Sequence, residues 1–508
     1  MKTRYFWIVL GLCSLMMAIP SCNFLDLHDP DAMDETKFYR DSADIEGLLS
    51  SAYSALRPAY DKLFFVTEMK SDNSTTTDNG TAGGLYFNFV NHTVTSSNSI
   101  VADIYNAFYF CIHRANLVLE HVDAISMPEE ERARLRGEAL FLRALSHFYL
   151  TRLWGPVVIM RNTVSGREDA LSKRRSPRSE VYAFVIEDLK EVADNDMLPA
   201  NCRGDQFGHA SLTAACALLG RVYLQQAATQ ELPERYNDAI TYLEKALTVS
   251  GYRGLTTPYN KLFTLEHQTD EEIIFPIMYK PNSAECSNFA EYFQPQGVKD
   301  QTSALPGRGF NVGQVNLYNE FEHAKAGYSQ EDGPRGISMY RNIAGTYTTF
   351  KYVDLRSSGY GGNLWFELRF ADVYLMLAEA YERVEGNAST KAIAYLNMVR
   401  QRPTVWDELW LMPSYEKSME NETYRTNYPT LRDAIFHERR VELCFENQRW
   451  FDLQRLYPNE DDFVAYMRSV NEPNVGGKYT NFQAYELLLP IPYDEVFLNP
   501  GLGQNEGY

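Results

Sequence analysis

The chain has 508 residues and a formal net charge of −19, and 45% of its residues are hydrophobic. Such a negative charge repels nucleic acid and anionic lipid surfaces, so we expect no nucleic-acid partner. The length and the apolar content are sufficient for a large core, and the length alone suggests two or three domains.

The N-terminus predicts the compartment. Lys2 and Arg4 precede an apolar run over residues 5–19, which is followed by Pro-Ser and Cys22. A positive segment, a short apolar segment and a small residue before the cleavage point are typical of a signal peptide. The run is short for a membrane span of about 20 residues. We predict a signal peptide over residues 1–21 and a lipid on Cys22, which tethers the mature chain to the membrane. The alternative is a secreted protein that begins with a free cysteine.

Removal of residues 1–21 takes away two positive charges and leaves a net charge of −21. Besides Cys22, five cysteines remain, and Cys111, Cys216 and Cys444 lie in helix-like apolar patterns. There a thiol acts as a small core residue. The spacing of the cysteines predicts neither a disulfide framework nor a metal site.

Apolar residues recur at spacings of three and four along nine segments, which predicts a mainly α fold. The predicted helices are residues 42–59, 100–122, 129–153, 179–194, 211–229, 236–249, 369–385, 388–401 and 430–456. Tracts rich in Gly, Asn, Ser and Tyr separate them at 71–99, 252–368 and 402–428. Because these tracts are too long for simple turns, and residues 272–279 are strand-like, we predict a large loop-rich subdomain with minor β structure.

Two helix pairs carry a tetratricopeptide-like pattern, in which small residues of one helix meet larger ones of the next. The residues are Leu219, Gly220, Tyr223, Ala239, Leu243 and Ala246 in one pair, and Leu377, Ala378, Tyr381, Ala392, Leu396 and Val399 in the other. Leu145, Ser146 and Tyr149 resemble a third first helix, with a remote partner at 179–194. Three units are about the minimum for a stable stack, so we predict a tetratricopeptide-like scaffold.

The segment 430–456 carries many charges. Glu438 and Glu442 lie one helical turn apart, as an acid/base pair would. A helix that is apolar on several sides is buried, however, and buried charges must be paired. The available partners are Arg439, Arg440 and Arg449. Pairing with arginine lowers a carboxyl pKa, the wrong direction for a general acid. We predict a structural ion-pair network that locks the C-terminal segment, and no enzymatic activity.

Four segments of the sequence carry motifs that occur in the same order in a known protein family. They are Cys22-Asn-Phe-Leu-Asp26, the run Arg369 to Ala380, the run Glu438 to Leu443 with Arg449-Trp-Phe-Asp-Leu453, and the ending Pro490-Ile-Pro492 to Gly507-Tyr508. Together they resemble the SusD/RagB family of nutrient-binding lipoproteins, over essentially the whole mature chain. Cys444 and Asn447 depart from the family, since small residues are usual there. Along this resemblance we divide the mature chain into an N-terminal part, 22–251, and a C-terminal part, 252–508.

The resemblance implies a surface lipoprotein of the outer membrane that binds an oligosaccharide and passes it to a SusC-like TonB-dependent transporter. It implies no cofactor. Two alternatives stay open: the cargo of the same lid is a peptide, or the chain is a surface glycoside hydrolase, whose two carboxylates need no local motif.

For the ligand site we single out two regions whose aromatic, amide and charged side chains suit sugars. Sugar C–H faces stack on flat rings, and sugar hydroxyls bind planar polar groups. The candidates are Asp72, Asn73, Tyr86, Phe87 and Asn88 in the first region, and Tyr292, Phe293, Arg308, Asn363 and Trp365 in the second. The alternative for Phe87 and Phe89 is packing against the scaffold, and for Trp365 it is a core position beside the next helix.

Overall fold

The computed structural model describes residues 39–76, 85–293, 308–321, 340–341, 347–349, 351–352, 361–402, 412–470 and 479–508. The predicted signal peptide and Cys22 lie outside the described residues. The fold is mainly α with minor β structure, as predicted.

The N-terminal half contains most of the long helices. They are α1 (Ser42–Tyr60), α2 (Leu63–Thr67), α3 (Leu85–Val90), α4 (Ser99–His121), α5 (Glu129–Trp154), α6 (Arg167–Ser172), α7 (Arg178–Asp194), α8 (Leu212–Thr229) and α9 (Arg235–Ser250). The later helices are α10 (Phe289–Phe293), α11 (Val315–Glu320), α12 (Phe370–Glu385), α13 (Thr390–Arg400), α14 (Tyr415–Ser418), α15 (Glu422–Asn427), α16 (Leu431–Glu442), α17 (Arg449–Leu456), α18 (Glu460–Ser469) and α19 (Tyr493–Leu498). Eight of the nine predicted helices are present, with ends within two residues of the prediction.

Polar side chains fix several helix starts. Asp41 accepts a hydrogen bond from the Asp44 amide at the start of α1. Ser211 does the same for Ala214 at the start of α8. Each such cap satisfies an amide that the first helical turn leaves without a partner, and it contributes about 1 kcal/mol.

The helical scaffold is a series of packed pairs. Helix α5 packs on α7, α7 on α8, α8 on α9, α9 on α12, and α12 on α13. This series confirms the tetratricopeptide-like scaffold, including the third pair formed by α5 and its remote partner α7. Gly220 of α8 lies so close to α9 that an added Cβ would stand 2.5 Å from Cγ of Leu243.

The short strands form two sheets. The first has four strands in the order β1 (Ser74–Thr76), β3 (Asn311–Gly313), β5 (Tyr347–Thr348), β4 (Tyr340–Arg341). The second pairs β2 (Ile273–Ile277) antiparallel with β6 (Trp365–Arg369), and all of their side chains are buried. The strand-like segment 272–279 is therefore confirmed. The division of the chain at 251/252 stays a prediction.

The predicted single helix 430–456 is wrong. The chain breaks between α16 and α17, where Phe445 and Asn447 have φ values of 63° and 61°. These left-handed residues are fixed from outside the helix. The Asn447 amide donates to Oε1 of Glu68 at 2.7 Å, and the Thr67 hydroxyl donates to Oδ1 of Asn447 at 2.8 Å. Tertiary hydrogen bonds thus end a helix whose sequence periodicity continues.

The charged segment is a buried ion-pair network, as predicted, but the partners of its glutamates differ from the prediction. Glu438 pairs with Arg400 at 3.0 Å, and Glu442 pairs with Arg369 at 2.7 Å. The arginines of the segment reach other elements instead: Arg439 pairs with Asp372 at 2.8 Å. The spacing along one helix cannot show which neighbouring element supplies each charge.

Within the described residues no helix is both long enough and apolar enough to cross a bilayer. The five cysteines among them are all free thiols. In the same part of the chain, no three His, Cys, Asp or Glu side chains are placed to hold a metal ion.

Replacing Gly220 with alanine tests the packing of α8 on α9. The new Cβ overlaps Leu243, so we expect the free energy of unfolding to fall by about 1–3 kcal/mol. The matched control is Gly47→Ala in α1, where nothing lies within 4 Å of the added atom. That change should raise the same free energy by about 0.5–1 kcal/mol. Equal effects of the two variants in urea titrations would contradict the close contact.

Candidate functional site

A cluster of aromatic rings joins the two predicted regions. The ring of Tyr86 stacks on that of Phe65 at 4.8 Å, with 5° between the planes. Tyr292 meets Tyr86 edge to face at 5.8 Å, and their hydroxyls lie 3.3 Å apart. Phe310 lies 5.8 Å from Tyr86 and 5.9 Å from Tyr292. We call Tyr86, Tyr292 and Phe310, which are all half-buried, the aromatic platform.

The guanidinium of Arg308 lies over this platform. Its central carbon is 5.8 Å from the ring centre of Tyr292 and 5.9 Å from that of Phe310. A salt bridge of 2.5 Å to Glu291 and a backbone hydrogen bond between the same two residues fix its position. The platform therefore combines flat apolar faces with a positioned, exposed donor.

A cavity of about 530 Å³ opens beside the platform, and Tyr292 and Arg308 form part of its wall. We call it the platform cavity. Its other lining residues are Ser54, Arg57, Pro58, Asp61, Lys62, Ala284, Glu285, Cys286, Asn288 and Glu291. Its volume lies within the range of about 300–1,000 Å³ that is usual for small-molecule sites.

Every cation of this cavity has an acidic partner. Arg57 pairs with Glu285 at 2.7 Å, Lys62 pairs with Asp103 at 2.5 Å, and Arg308 pairs with Glu291. The Asp61 carboxylate adds a further negative charge. The cavity is thus rich in polar groups but has no excess of positive charge.

Asp61 forms a further part of the cavity wall. Its carboxylate accepts hydrogen bonds from the amide and the side chain of Asn288 at 2.9 and 3.2 Å. Burial raises the pKa of Asp61 to about 6, against the opposing effect of these hydrogen bonds. Gly361 backs the same wall. Its carbonyl accepts from the amide of Ser287, and an added Cβ would stand 2.8 Å from the carbonyl oxygen of that residue.

The ten predicted site residues fall into two groups by exposure. Tyr86, Phe87, Asn88, Tyr292 and Arg308 are exposed or half-buried, and three of them meet at the platform. The other five, Asp72, Asn73, Phe293, Asn363 and Trp365, are buried. Trp365 stacks on Tyr352 at 5.4 Å, and Phe293 packs on Phe64 at 5.1 Å. The binding role of all ten stays a prediction.

Asp72 is part of the ion-pair network. Its oxygens lie 2.7 Å from Nε and 2.8 Å from Nη2 of Arg449, and the Tyr466 hydroxyl donates to it at 2.6 Å. Arg440 approaches to 3.1 Å. Burial raises the pKa of Asp72, but the two guanidinium charges outweigh burial and hold it well below its ordinary value. Asn73 accepts a hydrogen bond from Arg440 at 2.8 Å.

Sequence reasoning missed Asp61, Asn288 and Arg57 in the cavity. Asp61 directly follows α1, where a polar residue is expected at a helix end. Asn288 lies in a polar segment just before α10. Phe310 lies two residues after the predicted site residue Arg308, but it is not among the ten predicted residues. No local signal marks these residues, because chain segments far apart in sequence bring them together.

Two family models match the chain. One, described as the SusD family, covers residues 228–508, and the other, described as "Starch-binding associating with outer membrane", covers residues 23–224. The chain belongs to the SusD family. Membership supports glycan binding and association with the outer membrane, and SusD-like proteins are binding proteins rather than enzymes.

The similarity extends along the whole chain. SusD-like protein P2 of Formosa agariphila is 24% identical over 97% of this chain and 98% of its own. A solved structure, "Laminarin binding SusD-like protein", has a TM-score of 0.73 at 23% identity and covers 92% of this chain and 100% of its own. Starch-binding protein SusD of Bacteroides thetaiotaomicron is 28% identical over 34% of this chain and 30% of its own.

Replacing Asp72 with asparagine removes the carboxylate that pairs with buried Arg449, and one of the two carboxylates that pair with Arg440. We expect the free energy of unfolding to fall by about 3–5 kcal/mol at neutral pH. The lowered pKa implies that the stabilisation is complete above the unfolded-state pKa, and that it is lost only as the pH falls through the folded-state value. The gap between wild type and variant in urea titrations should therefore stay constant from pH 7 to about pH 5.

The control for this variant is Asp103→Asn, which breaks the partly exposed pair with Lys62. It should cost at most about 1 kcal/mol. If Asp72→Asn lowers the free energy of unfolding no more than this control does, and also abolishes ligand binding, then Asp72 contacts the ligand and does not stabilise the fold.

Proposed function

We propose that the chain is a surface lipoprotein that binds a neutral oligosaccharide on the aromatic platform and in the platform cavity, and delivers it to a SusC-like TonB-dependent transporter. The observation that carries the proposal is the position of Tyr292, whose ring meets those of Tyr86 and Phe310 and also lines a cavity of hydrogen-bonding side chains. Aromatic faces match the C–H face of a sugar ring, and the surrounding polar groups match its hydroxyls.

The charge of the site favours a neutral glycan. All three cations at the cavity already have carboxylate partners, and the mature chain carries an expected net charge of −21. A sulfated or uronate-rich glycan would meet this negative field without a positive site to offset it.

The names of relatives agree with a glycan cargo. One structural neighbour is titled as laminarin-binding, and one relative is named as starch-binding. Both glycans consist of neutral glucose units, the kind of cargo that the paired charges of the cavity favour. The alternative cargo is a peptide, and the calorimetry described next includes peptides to test it.

Replacing Tyr292 with alanine removes the ring shared by the platform and the cavity. In calorimetry of the full chain in detergent against starch, laminarin and a peptide library, we expect wild type to bind a glycan. Tyr292→Ala should bind it roughly tenfold more weakly or worse. Tyr292→Phe, which keeps the ring and loses the hydroxyl, should retain most of the affinity.

Phe110→Ala is the matched control, because Phe110 is an exposed aromatic side chain of α4 outside the platform cavity. It should bind like wild type. Binding of peptides without any glycan would replace the cargo, and release of shortened sugars from the polysaccharides would identify a hydrolase.

The proposed anchor is tested by Cys22→Ser. Cells fed a palmitate analogue should label the wild-type chain and retain it in the membrane fraction, since several acyl chains hold a protein firmly. The variant should lose the label. Cys286→Ser, which changes a partly exposed thiol of the described chain, should keep it.

The same detergent extracts report on the partner. A tagged wild-type chain should co-purify with a TonB-dependent transporter. If the Cys22→Ser variant still takes up the palmitate label, Cys22 is excluded as the lipid site. If the tagged wild-type chain purifies without any transporter, this result counts against delivery of the glycan to a transporter.

A further inference from the structure

A second cavity lies next to the platform cavity along helix α1. It has a volume of about 190 Å³ and is lined by Tyr53, Phe207, His209 and Met278, among others. We call it the histidine cavity. Ser54 and Arg57 line both cavities, so the two are adjacent. Together they follow α1 from Ser50 to its end, a length of about 15 Å at 1.5 Å per residue.

His209 is held in one orientation. Its Nδ1 lies 2.8 Å from Oε2 of Glu138, a buried carboxylate. The Tyr53 hydroxyl and Arg134 donate to the same carboxylate at 2.5 and 2.6 Å. Because a carboxylate only accepts hydrogen bonds, Nδ1 carries a proton whether the imidazole is neutral or charged. The hydrogen bond to Glu138 raises the pKa of His209, so Nε2 accepts a hydrogen bond in the neutral ring and donates one in the charged ring.

The imidazole is partly exposed and forms part of the cavity wall. Its ring also meets Tyr53 edge to face at 5.4 Å. A positioned partner that fixes the tautomer of a histidine is typical of functional sites. Here it gives the cavity a hydrogen-bonding nitrogen, Nε2, whose direction is set before any ligand binds.

The rest of the wall suits a sugar ring. Ser50 and Ser54 bring hydroxyls, Arg57 brings a guanidinium, and Ile277 and Met278 bring apolar surface. The volume is below the range of about 300–1,000 Å³ usual for a whole ligand. The cavity therefore fits one unit of a longer chain better than a complete ligand.

Arg57 stands where the two cavities meet. Its Nη1 pairs with Glu285 of the platform cavity at 2.7 Å, and its Nη2 donates to the Ser54 hydroxyl at 2.9 Å. A guanidinium has five N–H donors in a rigid plane, so it can contact hydroxyls on both sides.

We propose that the histidine cavity is an additional subsite for the same oligosaccharide, in which Nε2 of His209 forms a hydrogen bond with a hydroxyl of one sugar ring. This inference rests on the proposed function, because the neighbouring rings occupy the platform cavity. The subsite sets the length of glycan that binds best: chains long enough to pass Arg57 gain contacts that shorter chains do not make.

The test uses the full chain in detergent and oligosaccharides of graded length cut from starch and from laminarin. For chains that span both cavities, His209→Ala should weaken binding about three- to tenfold, as expected for one lost hydrogen bond. The shortest chains that bind should bind the variant and wild type equally. His113→Ala, an exposed histidine of α4, is the matched control and should leave both affinities unchanged.

A second variant guards against a folding defect in His209→Ala. Ser50→Tyr adds a bulky side chain at an exposed position of α1 that lines the cavity, and it leaves the residues Glu138 and His209 themselves unchanged. It should produce the same selective loss for long chains. If wild type binds glycans and both variants keep its affinity at every chain length, the subsite is refuted and the proposed function stands. If wild type binds no glycan, the proposed function and the subsite both fall.

Discussion

The structure depends on buried arginines that hold distant segments together. Arg369, at the end of β6, contacts Glu272 at 3.0 Å, Glu442 at 2.7 Å and Glu446 at 2.7 Å. It thereby joins the two-stranded sheet to the turn between α16 and α17. Removing one partner of such a pair leaves an uncompensated buried charge, which costs far more than an exposed pair contributes. The network therefore tolerates little rearrangement of the elements that it links.

The same network positions the aromatic platform through a short path. Arg440 and Arg449 hold Asp72, and two residues later the chain enters β1. Strand β1 pairs with β3, with Thr76 opposite Asn311. Phe310 directly precedes that strand, so its ring is fixed close to where the ion pairs end. The aromatic platform of the proposed site, which lies on short segments outside the helix pairs, is thus attached to the rigid buried core.

The sequence predicted what local periodicity determines and missed what distant partners determine. Spacings of three and four residues located eight long helices, because each helix buries one face. The break at Phe445 and Asn447 has no glycine to mark it, and the side chains that hold it belong to residues 67 and 68. Asp72 stands in a polar tract and resembles a ligand residue. Its burial follows from arginines that lie more than 360 positions later in the chain. Arg449, for example, is 377 positions after Asp72.

The paired charges at the platform cavity also suit the proposed binding of a neutral sugar by a strongly acidic chain. A neutral ligand gains little from net charge, so its affinity depends on contacts with groups already in place. Ordering a long side chain on binding costs about 0.5–1.5 kcal/mol. Glu291 and Glu285 hold Arg308 and Arg57 in place before any ligand binds. The free-energy cost of ordering these two side chains therefore falls on folding and not on binding. Since a guanidinium has five donors, a carboxylate partner still leaves hydrogen bonds for sugar hydroxyls. In the proposed function the carboxylates thus do two things at once: they repel polyanionic glycans, and they orient the donors for neutral ones.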